Sequence, residues 1–563
     1  MRISLCIIAG NESTHIIRLL ESFGPAFDEL SLVRAIGNQT PDNTVDLASE
    51  WCEKHEKLIR VADYKNDPLN NWPHVDNFSA ARNKSFEQAT GDWLLWADCD
   101  DVIDDAAAIR EIAQSAPDSI SIYRFPYDIP QSGKSTIRER LIRGSIVDAG
   151  RVWHWPVHEN FLIQPGDRWE NLSNPTWIHK PEGPKAGGER RNLKILTGAL
   201  RDAPAHYYYC HQENFYLRKL DESQRFGKIF LSLPGSPIEM KYQCLLNMAE
   251  MADKKEEAST FALCAHWLFP DQKEAIASLV KCSFQDEHFG RALHWSKILM
   301  KTPAQSSEKR LWCYEPKWDG WAAADLRRRS LRYAGLPIES SVLPLAPAIS
   351  LLHATRNRAN QAIQCRDLWL ELADHPELIE HIFAFDADDK TSQRWLRSFQ
   401  HVKNPGNNCV GAWNLAAKES KAPILVQLSD DWLPCRGWDT LILKAAGDRT
   451  DQFVIAVNDG HRKDDLLCMA ILSRARWEAQ GQELFSTEYQ SMFSDNEFSF
   501  RAYRDGVVID ARNNIALHHQ HPAFGAGEWD ETYRRQNAPE KYQSGIETYN
   551  RRNPDAPQLS LTT

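Results

Sequence analysis

The sequence predicts an α/β protein with two mainly parallel, Rossmann-like sheet domains separated by an all-α segment. Three observations predict this class. Short apolar runs alternate with helical stretches over residues 1–188, long helical periods fill 189–336, and the alternation resumes over 345–535, leaving 536–563 as a C-terminal tail. In the first stretch Ile3 to Ile8 reads as a strand, Thr14 to Ser22 as a helix, Leu30 to Ile36 as a strand, Thr44 to His55 as a helix and Leu58 to Val61 as a third strand. Such alternation favours a sheet covered on both faces. The segment from Asn83 to Asp104 is the most informative: an amphipathic run (Lys84 to Thr90), a Gly91-Asp92 turn, and the apolar strand Trp93 to Trp96 ending at Asp98-Cys99-Asp100-Asp101. A buried strand that stops at carboxylates delivers them to the C-terminal edge of a sheet, where open α/β folds bind ligands. Acids so close repel one another unless a cation neutralises them, and hard oxygen ligands suit Mg²⁺ or Mn²⁺.

The middle segment contains three similar endings, Leu231-Ser232-Leu233-Pro234, Trp267-Leu268-Phe269-Pro270 and Leu299-Met300-Lys301-Thr302-Pro303. Their spacing of roughly 33 to 36 residues is that of a tetratricopeptide-like helix-turn-helix repeat, with an unrelated helical bundle as the alternative. Pro337 to Pro347 reads as a linker. Beyond it Ala348 to His353 is a predicted strand, Arg358 to Ala373 a helix, and His381 to Phe385 a strand ending at Asp386. Gly411 to Ser420 is a further helix, and Ile424 to Leu428 a strand ending at Ser429-Asp430-Asp431. The interval from Asn83 to Asp98 equals that from Asn414 to Ser429, 15 residues, which reads as a degenerate internal duplication.

Composition narrows the function. Lys+Arg 66 against Asp+Glu 77 gives a formal charge of -11 without a basic tract, which disfavours a nucleic-acid acceptor. Twelve cysteines stand singly, without a CxxC pair, and predict reduced thiols in a cytoplasmic protein. No run of about 18 apolar residues occurs, so no membrane span is expected. The opening apolar run is cut short by Gly10-Asn11-Glu12 and reads as a strand rather than a signal peptide.

Several motifs together resemble family 2 glycosyltransferases of the GT-A fold. They are Ile3 to Ile8 followed by Asn11-Glu12, then Arg82-Asn83, then Ala89-Thr90-Gly91-Asp92-Trp93, the Asp98-x-Asp100 pair, Val157-His158-Glu159, and His179. The resemblance implies transfer of a sugar from a nucleotide-sugar donor, of the UDP-sugar class, usually with inversion and with Mn²⁺ or Mg²⁺. It implies that Asp98 and Asp100 serve the metal and the ribose-diphosphate, with Asp101 a weaker candidate. Asn11, Asn38, Asp42, Arg82 and Asn83 line the nucleoside pocket, His179 completes the metal shell, and Glu159 is the general base, against the plainer reading of His158-Glu159 as a polar pair satisfying a loop. In the second half Ser429 stands where Asp98 stands, while Asp430 and Asp431 remain as metal candidates with His519 and His521. Asp495 and Glu497, just before a predicted helix Phe498 to Tyr503, resemble the acidic motif that supplies the base. Asp386, Thr355 and Arg356 fall to the nucleotide. The expected function is a bifunctional transferase with two active sites; the alternative is one active N-terminal transferase with a C-terminal acceptor-binding module. The acceptor is a hydroxyl, on a glycan first, with a protein or modified nucleic acid as alternatives. A phosphatase of the haloacid dehalogenase type also ends a strand in Asp-x-Asp, but its later Ser/Thr, Lys and paired acids are not traceable here.

Overall fold

The computed structural model describes residues 1–129, 134–181, 190–198, 204–306, 310–311, 313–342, 346–525 and 529–560. The domain borders expected at residues 188 and 345 fall outside the described residues. The chain divides into two compact units, Met1–His288 with Lys301–Asp319, and Phe289–Met300 with Gly320–Thr563.

In the first unit the sheet runs in the order Leu58–Asp63, Glu29–Arg34, Ile3–Ala9, Trp93–Trp96, Lys134–Arg143, Ile122–Ile129, Trp177–His179, Asp101–Ile103. The first four strands are parallel, and Lys134–Arg143 joins them antiparallel. The two central strands are buried on both faces: Ile3, Leu5 and Ile7 on one face of the first, Ser4 and Cys6 on the other, and every residue of Trp93–Trp96. Gly91 makes the turn into Trp93–Trp96 possible, since a Cβ there would lie 2.7 Å from both the amide N and Oγ of Ser4. The preceding helix, Phe78–Glu87, starts at Asn77, whose side chain accepts from the Ala80 amide. The described helical hairpins that follow begin at Pro204 and Ile238, with a further helix beginning at Lys273, so starts are 34 and 35 residues apart. Tyr208, Phe230, Cys244 and Met248 form the core between the first two hairpins.

The second unit has its own sheet, in the order His401–Asn404, Ile379–Asp386, Ile349–Thr355, Ile424–Leu428, Ile471–Ser473, Val454–Ala456, Val508–Asp510. It repeats the pattern of the first: four parallel strands with the sheet's own first strand in sequence third in line, then an antiparallel neighbour. A further pairing recurs too. Asp101–Ile103 lies antiparallel to Trp177–His179 in the first unit, and Trp432–Pro434 lies antiparallel to Leu517–His519 in the second. Residues 536–563, expected as a tail, contain the helix Pro539–Arg552, which packs on Ser494–Arg504. It is held there because Ile546 and Tyr549 are buried. Among the described residues no helix is long and apolar enough to cross a membrane.

Candidate active site

At the C-terminal edge of the first sheet a cavity of about 620 Å³ opens, with Asn11, Arg82, Asp98, Asp100, Glu159 and His179 on its walls. Its centre is Arg82, 2% exposed, whose guanidinium lies 4.1 Å from the Trp96 ring centre and 5.3 Å from that of Trp153. Set against both rings, Arg82 donates from Nε (3.1 Å) and Nη2 (2.7 Å) to Oε1 of Glu159, and from Nη2 to Oδ1 of Asp98 at 3.1 Å. Nη1 is buried with no hydrogen-bond partner. Burial alone would raise the Asp98 pKa, but Arg82, Arg140 and Arg138 bring it down to about 2.

The acids after Trp96 do not act as equals. Asp100, Asp101 and His179 bring one ligand atom each within 4.8 Å of one another. Asp98, weighted above Asp101 in the sequence, lies outside that group. The register pairs His179 directly with Asp101. His179 Nδ1 sits 3.4 Å from Asp101 Oδ1 and 3.6 Å from Asp100 Oδ1, and the Asp101 hydrogen bond, with Asp100 and Asp98 nearby, raises its pKa despite burial. Asp101, fully buried, is already engaged: Oδ1 accepts from the Tyr127 hydroxyl, and Oδ2 accepts from the Asp98 amide and lies 3.5 Å from Arg140. A carboxylate so bound orients a histidine, and Asp100 and His179 supply the oxygen and nitrogen donor types that suit a divalent cation.

Three predicted nucleotide-site residues are placed elsewhere. Asn83 spends its amide on the backbone of Trp153, donating to its carbonyl and accepting from its N–H. Asp42 accepts from the Ser13 and Thr44 amides just before the helix Thr44–Lys54, and Asn38 donates to Asn71 on the surface. None of the three lines the cavity. Asn11 does, and its Oδ1 accepts from the Asp42 amide.

The second unit has a cavity of about 230 Å³ at the equivalent sheet edge. Asp431 is its best-held carboxylate: it lies 3.3 Å from His519 Nε2 and accepts from Ser429 Oγ at 2.7 Å and Tyr533 OH at 3.0 Å. Against burial, those partners hold its pKa well below the usual carboxylate range. Asp430 is turned inward instead, accepting from Thr355 Oγ1 at 3.0 Å and facing His353 Nε2 at 2.9 Å. His519 is paired with Trp432, the residue after Asp431, as His179 is paired with the residue after Asp100. His521 lines the same cavity, its Nδ1 accepting from the Ala523 amide. Arg356 bridges Asp386 (2.7 Å) and Asp388 (2.6 Å), and all three of Thr355, Arg356 and Asp386 reach the cavity.

The two acids of the Ser494 motif part company. The helix begins at Ser494, four residues before the expected start, so Asp495 and Glu497 stand in its first turn, about 200° apart around the axis. Asp495 faces the cavity, and burial raises its pKa. Glu497 faces away and accepts from Arg552 Nε and Nη2, both at 2.9 Å, and from Tyr489 OH at 2.7 Å. The structure thus separates it from the second site, since Pro539–Arg552 claims that helix face.

Residues 4–164 match the sequence pattern of Glycosyl transferase family 2. They are a family 2 glycosyltransferase domain. Among curated proteins the chain is 25% identical over 262 residues to a TPR repeat-containing protein of Synechococcus elongatus, covering 44% of this chain and 61% of that one. It is 28% identical over 230 residues to the SPbeta prophage-derived glycosyltransferase SunS of Bacillus subtilis, covering 38% and 50%. The chain thus spans half to three-fifths of the length of these relatives. Among solved structures it is similar to S. aureus TarS 1-349 (13% identity, 48% of this chain and 86% of that chain, TM-score 0.25). It is similar too to the mannosyltransferase PcManGT of Pyrobaculum calidifontis (14%, 49% and 85%, TM-score 0.29).

The glycosyltransferase domain also uses residues that the sequence reading passed over. Arg140, 1% exposed, lies 3.8 Å from the Trp96 ring centre on the same indole that Arg82 contacts, and Arg138 lies 5.6 Å from it. Tyr127 joins Asp101 to His179. Their signal was faint: in Arg138-Glu139-Arg140 the two arginines share one face of a strand, which period-2 reading identifies without saying what that face meets.

Proposed function

We propose that this protein is a metal-dependent, inverting glycosyltransferase that moves a sugar from a nucleotide-sugar donor of the UDP-sugar class to an acceptor hydroxyl, with one active site in each unit. The observation that carries the reading is the convergence of Asp100, Asp101 and His179 beside the Arg82–Glu159 pair in the cavity of a family 2 domain. Asp100 and His179 would hold Mn²⁺ or Mg²⁺, and Asp101 would fix the imidazole. When bound, the cation supplies charge neutralisation for a departing diphosphate. Arg82 offers a second source of that neutralisation through its unmatched Nη1. Glu159, with Oε1 committed to Arg82, takes the acceptor proton on its other oxygen. The acceptor oxygen then bonds to the anomeric carbon as the bond to the diphosphate breaks, and the nucleoside diphosphate leaves. Such a base is worth about 10² to 10⁴ in rate.

In the second unit Asp431 and His519 take the places of Asp100 and His179, and Asp495 is the base. The repeated strand register supports this assignment. One observation favours the reading of that unit as an acceptor-binding module instead. Ser429 replaces Asp98, and Asp430 is locked to His353 and Thr355, so Asp431 is the one carboxylate of Ser429-Asp430-Asp431 left to meet a cation with His519. The glycan, protein or modified nucleic acid that accepts the sugar is left to experiment. The purified chain is incubated with a panel of nucleotide sugars plus Mn²⁺, and donor hydrolysis and product are compared for wild type, Asp100→Ala and Asp431→Ala. Loss of a different transfer step in each variant supports two active sites. Products unchanged by both defeat the proposal, and loss only in Asp100→Ala, with weaker acceptor binding in Asp431→Ala, selects the module.

A further inference from the structure

The second unit contains another cavity, of about 370 Å³, at the opposite edge of its sheet. Pro347 just before Ile349–Thr355, Ile379 at the start of Ile379–Asp386 and Lys421 just before Ile424–Leu428 form part of its wall. Asp431 follows the far end of the last of these strands, so the two cavities are separate. Five cationic side chains line the recess, Arg328, Arg329, Arg332, Arg366 and Lys421, against two carboxylates, Asp325 and Glu380.

Both carboxylates are already committed. Asp325 lies 2.7 Å from Arg366 and 3.6 Å from Arg328. Glu380 accepts from Ser350 Oγ, the Lys421 amide and Gln400 Nε2. Arg366 is also held by Asp367 at 2.8 Å, and Arg329 donates from Nε to Ser398 Oγ at 3.4 Å, so an excess of two positive charges is left over. The half-buried guanidinium of Arg332 makes no hydrogen bond or close ion pair among the described residues. Arg329 lies 3.7 Å from the Phe399 ring centre, a stack that fixes its plane. Burial, together with Arg366 and Arg332, pushes Arg329 down to about 10 despite Asp325, a direction that records the cost of holding these cations together. His381 is buried on the same wall, its Nε2 3.0 Å from His353 Nδ1.

We propose that this recess binds a compact phosphate-bearing anion, a diphosphate or a phosphomonoester, with Arg329 and Arg332 as its main donors and Arg328 and Lys421 adding charge. Phosphate chemistry fits better than a lone carboxylate for two reasons. A phosphate ester or diphosphate carries two or three negative charges against the two in excess, and its oxygens match the forked donors of arginine. The volume is that of an ordinary small-molecule site. The assignment is independent of the glycosyltransferase reading.

The test titrates the full-length chain with inorganic pyrophosphate at low ionic strength, by calorimetry and by ³¹P line broadening, without divalent metal. Parallel arms use ADP, inorganic phosphate and malonate. Expected are saturable pyrophosphate binding, a Kd raised about tenfold in Arg332→Ala and again in Lys421→Ala, and no displacement by UDP. Tighter binding of ADP than of pyrophosphate assigns a nucleotide as the source, and the reverse a free diphosphate. Arg332 makes no bonds that its removal would break, and Lys421 is exposed, so folding is retained; circular dichroism checks it. No binding in the millimolar range, equal binding of malonate, or binding that UDP displaces and Arg332→Ala leaves unchanged overturns the proposal.

Discussion

Replacing Arg82 with Met removes the cation on which two carboxylates of the first site depend. Glu159, 13% exposed at its side chain, receives two hydrogen bonds from Arg82, and Asp98, 43% exposed, receives one. Breaking a buried pair by deleting one partner costs about 3–5 kcal/mol. The Asp98 share is screened by solvent and is worth about 1 kcal/mol or less, so the lower end applies. Met recovers packing against Trp96 and Trp153 but none of the charge. A loss of about 3 kcal/mol corresponds to amide exchange faster by about a hundredfold across the Phe78–Glu87 helix, wherever exchange proceeds by opening of that region. Hydrogen exchange by mass spectrometry reads this helix directly, which matters because a chain of two units has no single unfolding transition. The reasoning further requires that Arg82→Met with Glu159→Gln be more stable than Arg82→Met alone, since the second change removes the stranded charge. The coupling should be about 1–3 kcal/mol. Exchange within about threefold of wild type for Arg82→Met, or a double variant no better protected than the single, refutes the account.

Three further outcomes are expected. His179 has a folded pKa above the ordinary histidine value of about 6.5, so its contribution to stability is complete below about 6.5 and fades as pH rises through the higher folded value. NMR titration of the full chain against His179→Gln should find that raised value, and added Mn²⁺ should lower it, because a metal takes the neutral ring; a pKa at or below 6.5 without metal contradicts the geometry. Glu497→Gln should destabilise the second unit by about 3 kcal/mol through the Arg552 pair yet leave donor binding intact, while Asp495→Asn should do the converse; calorimetric unfolding and donor titration separate them. Gly91→Ala should cost about 1–3 kcal/mol by forcing a methyl against Ser4, seen as a lowered unfolding temperature, and a neutral result would mean that the turn yields.

Much of the fold was legible because it rests on patterns that tertiary packing does not reverse. The strand Trp93–Trp96 was read to the residue, since four large apolar side chains after Gly91-Asp92 and before an acidic cluster admit no other buried strand boundary. Ile424–Leu428 was read exactly for the same reason. Helix boundaries drifted more: the amphipathic run at Lys84 is the end of a helix starting at Phe78, because its cap, Asn77, lies upstream of the apolar signal. The site was legible in kind but not in detail. Asn83 and Arg82 are adjacent, but one serves the backbone of Trp153 and the other the cavity, because successive helical residues point about 100° apart.

By itself the sequence determined that strands would end in carboxylates at two sheet edges, 15 residues after Asn83 and 16 after Asn414, since alternation and polarity are local properties of the chain. Only the tertiary structure decided which carboxylates share a cation site and which are locked to arginine or histidine. Asp101 stands opposite His179 because strands that place residues 78 apart in sequence side by side pair in one register, and Glu497 is lost to the second site because a helix beginning at Pro539 supplies Arg552 to it. A side chain's charge is written in the sequence; its partner is set by distances that close only when remote segments pack together.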